Sequence, residues 1–247
     1  MSGASENQHP ALLKNTVCSL FNSELYSDIE VVFVDGERFK CHKLVLSQSR
    51  VLANTFNPMH NFKEAVDGVI KLTNDEPEPA KAMVQYLYTG SYSVCDDAPK
   101  SKDLLWHVSM YTMGEIYALP GLQELAMDRF CQVTIGGPSP VLNAHELTPA
   151  IREIYGSTPD SSRGMRKLAV LAIKKSGIDV LLMDEGFKEM VGEVGPFGKD
   201  LLLSLHPPPQ DHTKAYTCRH CQYSGDRVVG RNIKIAPCPR CGLYDFI

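Results

Sequence analysis

The C-terminal stretch "CRHCQYSGDRVVGRNIKIAPCPRC", Cys218 to Cys241, narrows what this chain can fold into more than any other segment. Its four cysteines run Cys218-x2-Cys221, then sixteen residues, then Cys238-x2-Cys241. That is the spacing at which two thiolate pairs close on one tetrahedral ion. Pro239 favours a tight turn between the second pair, and Gly242 accepts a positive φ after the last ligand, so that backbone N–H groups can point at the sulfurs. "RVVGRNIKI" between the pairs and "LYDFI" after them have strand character.

The module therefore resembles a zinc ribbon, with one structural zinc held by Cys218, Cys221, Cys238 and Cys241. Four thiolates leave no open position for an activated water, which argues against a catalytic metal. Pro237-Cys238-x2-Cys241 matches half of the zinc-deaminase signature, but no His or Cys has Glu two residues later. A thioredoxin-like redox pair would open a helix, and "IKIAPCPRCGLYDFI" offers none. "VGPFGKD" lacks phosphate-loop spacing and has Asp200 where Ser or Thr would bind magnesium. With no nucleophile-base or paired-acid arrangement evident, the chain reads as a non-enzyme.

The other four cysteines, Cys18, Cys41, Cys95 and Cys131, stand singly, as reduced thiols do in the cytoplasm or nucleus. The polar start "MSGASENQHP" has no secretion signal, and the longest apolar run, Leu168 to Ile173, is six residues, too short to span a membrane. The net charge is -4, yet residues 212–247 carry six basic against two acidic side chains, +4, leaving -8 for the rest. A locally basic ribbon admits a nuclear regulator that touches nucleic acid. The ribbon has no recognition helix, however, and its aromatics serve equally as core, which argues against that use.

Upstream, Leu13, Val17, Leu20 and Phe21 share one helix face. "DIEVVFVDGERFKC" predicts a hairpin with a two-residue Asp35-Gly36 turn and a first strand covered on both faces. Short helices follow in "KLVLSQSRVLANTF" and a strand in "GVIKLT". "DEPEPAKAMVQYLYTG" predicts a helix that buries Ala80, Met83, Val84, Leu87 and Tyr88 and ends at Gly90. The next helix carries Leu104, Val108, Tyr111 and Ile116 on its apolar face, and the one after Leu119-Pro120-Gly121 carries Leu122, Leu125, Ala126 and Phe130. Beyond "IGGPSP" three more helices are expected, the last over "GFKEMVGEVGPFGKDLLLSL", before the stiff Pro207 to Pro209 spacer.

This order of parts, "YSDIEVVFVDGERFKCHKLVLSQSRVL", "FKEAVDGVIKLTNDEPEPAKAMVQYLYTGSY" and "EIYALPGLQELAMDRF", resembles the BTB/POZ domain, particularly its fungal members. "LTPAIREIYGSTPDSSRGMRKLAV" resembles the helical extension that follows it there. The resemblance implies an α+β fold, a small sheet flanked by a helical cluster, used for protein-protein contact. The expected organisation is a disordered tail at 1–10, a BTB/POZ domain at 11–132, a helical extension at 133–206, a Pro-rich linker at 207–214 and the zinc ribbon at 215–247.

Three family features fall on residues. Asp28 with His42 and Lys43 matches a charged pocket, or else an ion pair that fixes the loop. Phe62-Lys63-Glu64 matches the hydrophobic-x-Glu motif of BTB proteins that recruit cullin ubiquitin-ligase scaffolds; it also reads as a loop-packing Phe62 beside a solvated Glu64. Homodimers occur in the family, but the polar tail departs from the exchanged strand of many animal members. The resemblance implies an adaptor or scaffold, with a cullin among its partners.

Overall fold

The computed structural model describes residues 8–57, 59, 66–93, 100–136, 142–158, 163–205, 212–218, 220–229, 235–238, 240–241 and 244–246. The chain divides into two units, residues 1–197 and 198–247.

In the first unit, β1 (Ile29–Phe33) pairs antiparallel with β2 (Arg38–Cys41) and parallel with β3 (Val69–Leu72), giving the sheet order β2-β1-β3. Ile29, Val31 and Phe33 are buried on one face. The opposite face is only half-buried, because Glu30 sits there with Arg38 at 2.7 Å and Lys40 at 3.2 Å. The expectation of cover on both faces is corrected by that ion cluster. The turn also differs. Four residues, 34–37, connect the strands; Asp35 Oδ1 accepts from the Glu37 N–H, and only Gly36 has a positive φ, 85°. Lys81 closes over this turn, bonding Asp35 and Glu37 as well as Glu78.

Helix α1 (Gln8–Ser19) precedes the sheet, and the short helices α2 (Lys43–Leu46) and α3 (Arg50–Thr55) carry the chain from β2 towards β3. The buried Ser49 ties α3 to its surroundings. Its Oγ accepts from the Leu52 N–H, capping the helix, and donates to the Tyr117 carbonyl at 2.7 Å. Helix α4 (Pro77–Thr89) starts on prolines, which lose nothing where no intrahelical partner exists, and ends at Gly90 with φ 70°. All five side chains expected on its apolar face are buried.

Helices α5 (Lys100–Ile116) and α6 (Pro120–Thr134) form the adjoining pair. Leu104, Val108, Tyr111, Leu122, Ala126 and Phe130 are buried as their spacing requires, whereas Ile116 is 51% exposed. The Arg129 guanidinium stacks over the Tyr92 ring at 4.1 Å, and the Tyr92 hydroxyl lies 2.9 Å from Nδ1 of buried His107.

The following helices pack on this pair. Helix α7 (Ala144–Ser157) begins three residues before the sequence pattern suggests, through a reciprocal cap in which Asn143 Oδ1 accepts from the Glu146 N–H and Glu146 Oε2 accepts from the Asn143 N–H. Helix α8 (Arg163–Ser176) approaches α6 so closely that a Cβ at Gly164 would stand 2.6 Å from Met127 Sδ. Buried Arg166 donates to the Thr158 carbonyl and lies 4.7 Å over the Tyr155 ring, so a backbone dipole and a π face are among the groups that accommodate its charge. The last expected helix is broken into α10 (Glu185–Glu193) and α11 (Gly195–Leu205), after a single turn α9 (Ile178–Leu181) that the pattern did not reveal. The chain leaves helical geometry at Val194, with ψ 71°, and Pro196 accounts for it: it has no N–H for the Gly192 carbonyl one turn back, and its ring would clash with that carbonyl in a continuous helix. Phe197 packs edge-on against Tyr155 and Phe187. No described helix is long and apolar enough to cross a membrane.

Burial, reinforced by the Arg129 charge, lowers the His107 pKa from 6.5 to about 4. The unfolded chain therefore binds the extra proton first, and stability present above pH 6.5 is lost as pH falls towards 4. The expected loss is about 3 kcal/mol. Thermal melts from pH 7 to pH 4 should show it for the native chain and a shallower dependence for His107→Gln.

Candidate metal centre

The second unit contains two antiparallel hairpins. β4 (His212–Thr217) pairs with β5 (Ser224–Val229), closing at Thr217 opposite Ser224, and β6 (Ile235–Pro237) pairs with β7 (Tyr244–Phe246), closing at Pro237 opposite Tyr244. Each hairpin thus spans a six-residue connection, 218–223 or 238–243, that opens on a Cys-x2-Cys pair. The strand character read between and after the pairs lies in β5, β6 and β7.

The four sulfurs of Cys218, Cys221, Cys238 and Cys241 all lie within 4.8 Å of one another. The nearest contacts run between the hairpins, Cys218 to Cys241 at 3.8 Å and Cys221 to Cys238 at 3.7 Å. A tetrahedral ion with thiolate bonds of about 2.3 Å requires sulfurs about 3.8 Å apart, so the cluster fits one metal ion. Disulfide sulfurs would be about 2.0 Å apart, and these cysteines are free.

Backbone groups are aimed at the sulfurs in the same way in both loops. The His220 N–H donates to Cys218 Sγ and the Arg240 N–H to Cys238 Sγ, each at 3.4 Å. Cys218 and Cys238 are buried, with Tyr223 packed against them. The Cys218 N–H donates to the Tyr223 carbonyl and the Gln222 N–H to the Cys218 carbonyl, which closes the first loop. Gln222 has φ 59°. A left-handed conformation costs a non-glycine residue roughly 1–2 kcal/mol, so this loop is held by its ring of bonds. Gly242 is the corresponding residue in the second pair, and it lies outside the described residues. Matching the two pairs position by position would have exposed Gln222 from the sequence.

The thiols do not titrate alike. Burial opposes ionisation of Cys238, yet its pKa is lowered because the Cys241 and Arg240 N–H groups point at the sulfur. Cys221 goes the other way: the Tyr223 backbone favours its thiolate, but burial and the three neighbouring sulfurs together push it up to about 12. Four crowded thiolates repel one another, and a bound cation removes that repulsion.

Of the other sequence-identified residues, Phe62 and Glu64 lie outside the described residues. Asp28 is exposed, and its Oδ1 accepts from the Lys43 backbone N–H at 2.7 Å, at the start of α2. Among the described residues its carboxylate forms no ion pair with the Lys43 ammonium. His42 is buried. Its Nε2 lies 2.8 Å from the Leu25 carbonyl and must donate to it, which leaves Nδ1 to accept from the Tyr88 hydroxyl at 2.9 Å. The His42 backbone N–H in turn donates to the Tyr88 oxygen, also at 2.9 Å.

A mixed three-stranded sheet with its helical cluster is thus followed by a module whose four thiols are placed to hold one metal ion. The family model described as BTB/POZ domain matches residues 18–132, and that segment is a BTB/POZ domain. Two mouse proteins are similar to it: "TD and POZ domain-containing protein 1-like", 29% identical over 122 residues, and "TD and POZ domain-containing protein 1", 28% identical over 122 residues. Each match covers 49% of this chain and 31% of the relative. A third, "TD and POZ domain-containing protein 4" of mouse, is 25% identical over 134 residues, 51% of this chain and 34% of that protein.

Removing the Tyr88 hydroxyl strands two buried groups of His42. Tyr88→Phe should destabilise the chain by about 1–3 kcal/mol in chemical denaturation. Asp28→Asn, which keeps an acceptor for the Lys43 N–H, should change it by less than about 1 kcal/mol.

Proposed function

We propose that this chain is a non-enzymatic adaptor or scaffold that binds protein partners through its BTB/POZ domain. The observation that carries the reading is the match of residues 18–132 to a protein-interaction domain, on a segment with the corresponding mixed sheet and helical cluster. Within it, Phe62-Lys63-Glu64 supports recruitment of a cullin ubiquitin-ligase scaffold, with the C-terminal parts choosing the target. Leu12 and Leu13 of α1, both exposed, support a homodimer in which a second copy covers them. The singly placed thiols outside the module support residence in the cytoplasm or nucleus.

The C-terminal module in this reading is a structural zinc ribbon. Cys218, Cys221, Cys238 and Cys241 hold one zinc, which cross-links two hairpins too small to form a core of their own. Zinc supplies folding free energy here, about 10–16 kcal/mol in isolated finger peptides. Metal analysis of protein purified without chelator should give one zinc per chain. Cys238→Ser should abolish it and leave the melting of the BTB/POZ domain unchanged; a zinc-free native protein contradicts the assignment.

Recruitment of a cullin is tested at Phe62 and Glu64. An apolar anchor at the scaffold should dominate, so Phe62→Ala should weaken cullin binding about thirtyfold, roughly 2 kcal/mol, without lowering the melting temperature. Lost stability with unchanged binding would identify Phe62 as a loop-packing residue, and a native chain that fails to bind at tens of micromolar would leave an interaction scaffold without a ligase.

A further inference from the structure

A cleft of about 440 Å³ lies in the first unit where the loop between β3 and α4, one face of α5, and α7 meet. Pro79 and Met113 form its buried floor, Leu105 is half-buried, and Ile116 stands exposed at the lip. Ile116 continues the apolar face of α5, yet no described element covers it at that end of the helix, and α7 stands across the gap. The volume lies in the range of ligand sites, about 300–1,000 Å³, and well above a packing defect.

The rim is acidic on two sides. Asp75 and Glu76 stand at the start of α4, and Glu153 projects from α7. Asp75 is fixed in place by the Tyr117 hydroxyl, which donates to its Oδ2 at 2.6 Å. Among the described residues no Lys or Arg forms an ion pair with Asp75, Glu76 or Glu153. Two described cations on the same helices are engaged elsewhere, Lys81 of α4 with Asp35, Glu37 and Glu78, and Arg152 of α7 with Glu193. An apolar floor under three carboxylates that no described cation pairs with is complementary to one kind of side chain. Lys and Arg have an aliphatic stem that can lie on Met113 and Ile116 and a charged head that can reach the carboxylates.

We propose that this cleft is a docking site for an extended segment of a partner protein in which a Lys or Arg adjoins an aliphatic residue. The aliphatic neighbour covers Ile116, and the basic head lies between Asp75 and Glu76 on one wall and Glu153 on the other. Because α7 follows the matched BTB/POZ segment, the site needs the helices beyond it as well as the domain itself. The inference rests on the interaction reading but not on cullin recruitment, since it requires neither Phe62 nor Glu64.

The test is a selection of phage-displayed random peptides on the full chain, followed by fluorescence anisotropy with the recovered sequences as synthetic peptides. Recovered peptides should pair Lys or Arg with an aliphatic residue. Their affinity should fall at least about tenfold for Glu76→Lys/Glu153→Lys and for Ile116→Arg, and also when the basic residue of the peptide is replaced by Gln. All three positions are exposed, so melting temperatures should hold; if one variant melts early, the other carries the comparison. Peptides that bind the variants as well as the native chain overturn the proposal, as does enrichment of acidic or wholly apolar sequences, or no enrichment at all.

Discussion

The Tyr88 hydroxyl meets two groups of His42, the backbone N–H and ring Nδ1, both at 2.9 Å, while the other ring nitrogen donates to the Leu25 carbonyl. Three elements are fixed at this one point: the loop that enters the sheet, the junction of β2 with α2, and the last turn of α4. The Cys18 thiol adds the end of α1 by donating to the Tyr88 carbonyl, and the Phe21 ring packs edge-on against both Tyr88 and Phe39. Burial raises the Tyr88 pKa and pushes the Cys41 thiol up to about 12, so the phenol and the thiol at the node are uncharged. Neutral, satisfied groups can be buried without the cost that an ion pair would carry there. The half-buried charges, Glu30 with its two cations and Lys81 with its three acids, have mostly solvent-facing partners and trim the sheet rather than hold it.

From that node outward the domain is built by close approach of helices. Ser49 joins α3 to the end of α5, Gly164 lets α8 touch Met127, and Arg166 is accommodated by a carbonyl and the Tyr155 ring. Helices α7 and α8, which follow the matched BTB/POZ segment, pack against its last two helices, α5 and α6. The acidic cleft is a product of the same packing, since α7 provides one of its walls.

The metal centre obeys a different logic. Its sulfurs come from two hairpins of the same design, and the contacts of 3.8 and 3.7 Å between the hairpins match the edge of a thiolate tetrahedron. Little apolar surface is available in so small a unit, and a cation held by the four sulfurs would supply the cross-link that a core provides elsewhere.

What the sequence by itself determined here was local or periodic. The Cys-x2-Cys pairs named all four members of the sulfur cluster, because ligand spacing is written directly in the chain. The helical period named the five buried residues of α4, and the motif order named the domain. The tertiary structure decided whatever depends on a neighbour distant in sequence. Glu30 turned one face of β1 into an ion cluster, no described element covers Ile116, and Tyr88 made His42 a buried hydrogen-bonding residue. Asp28 and Lys43 adjoin in space as their family positions suggest, yet the contact runs to a backbone N–H at the start of α2, a choice set by where the two segments meet. Periodicity reports which face of an element is apolar, whereas only packing decides what, if anything, that face will touch.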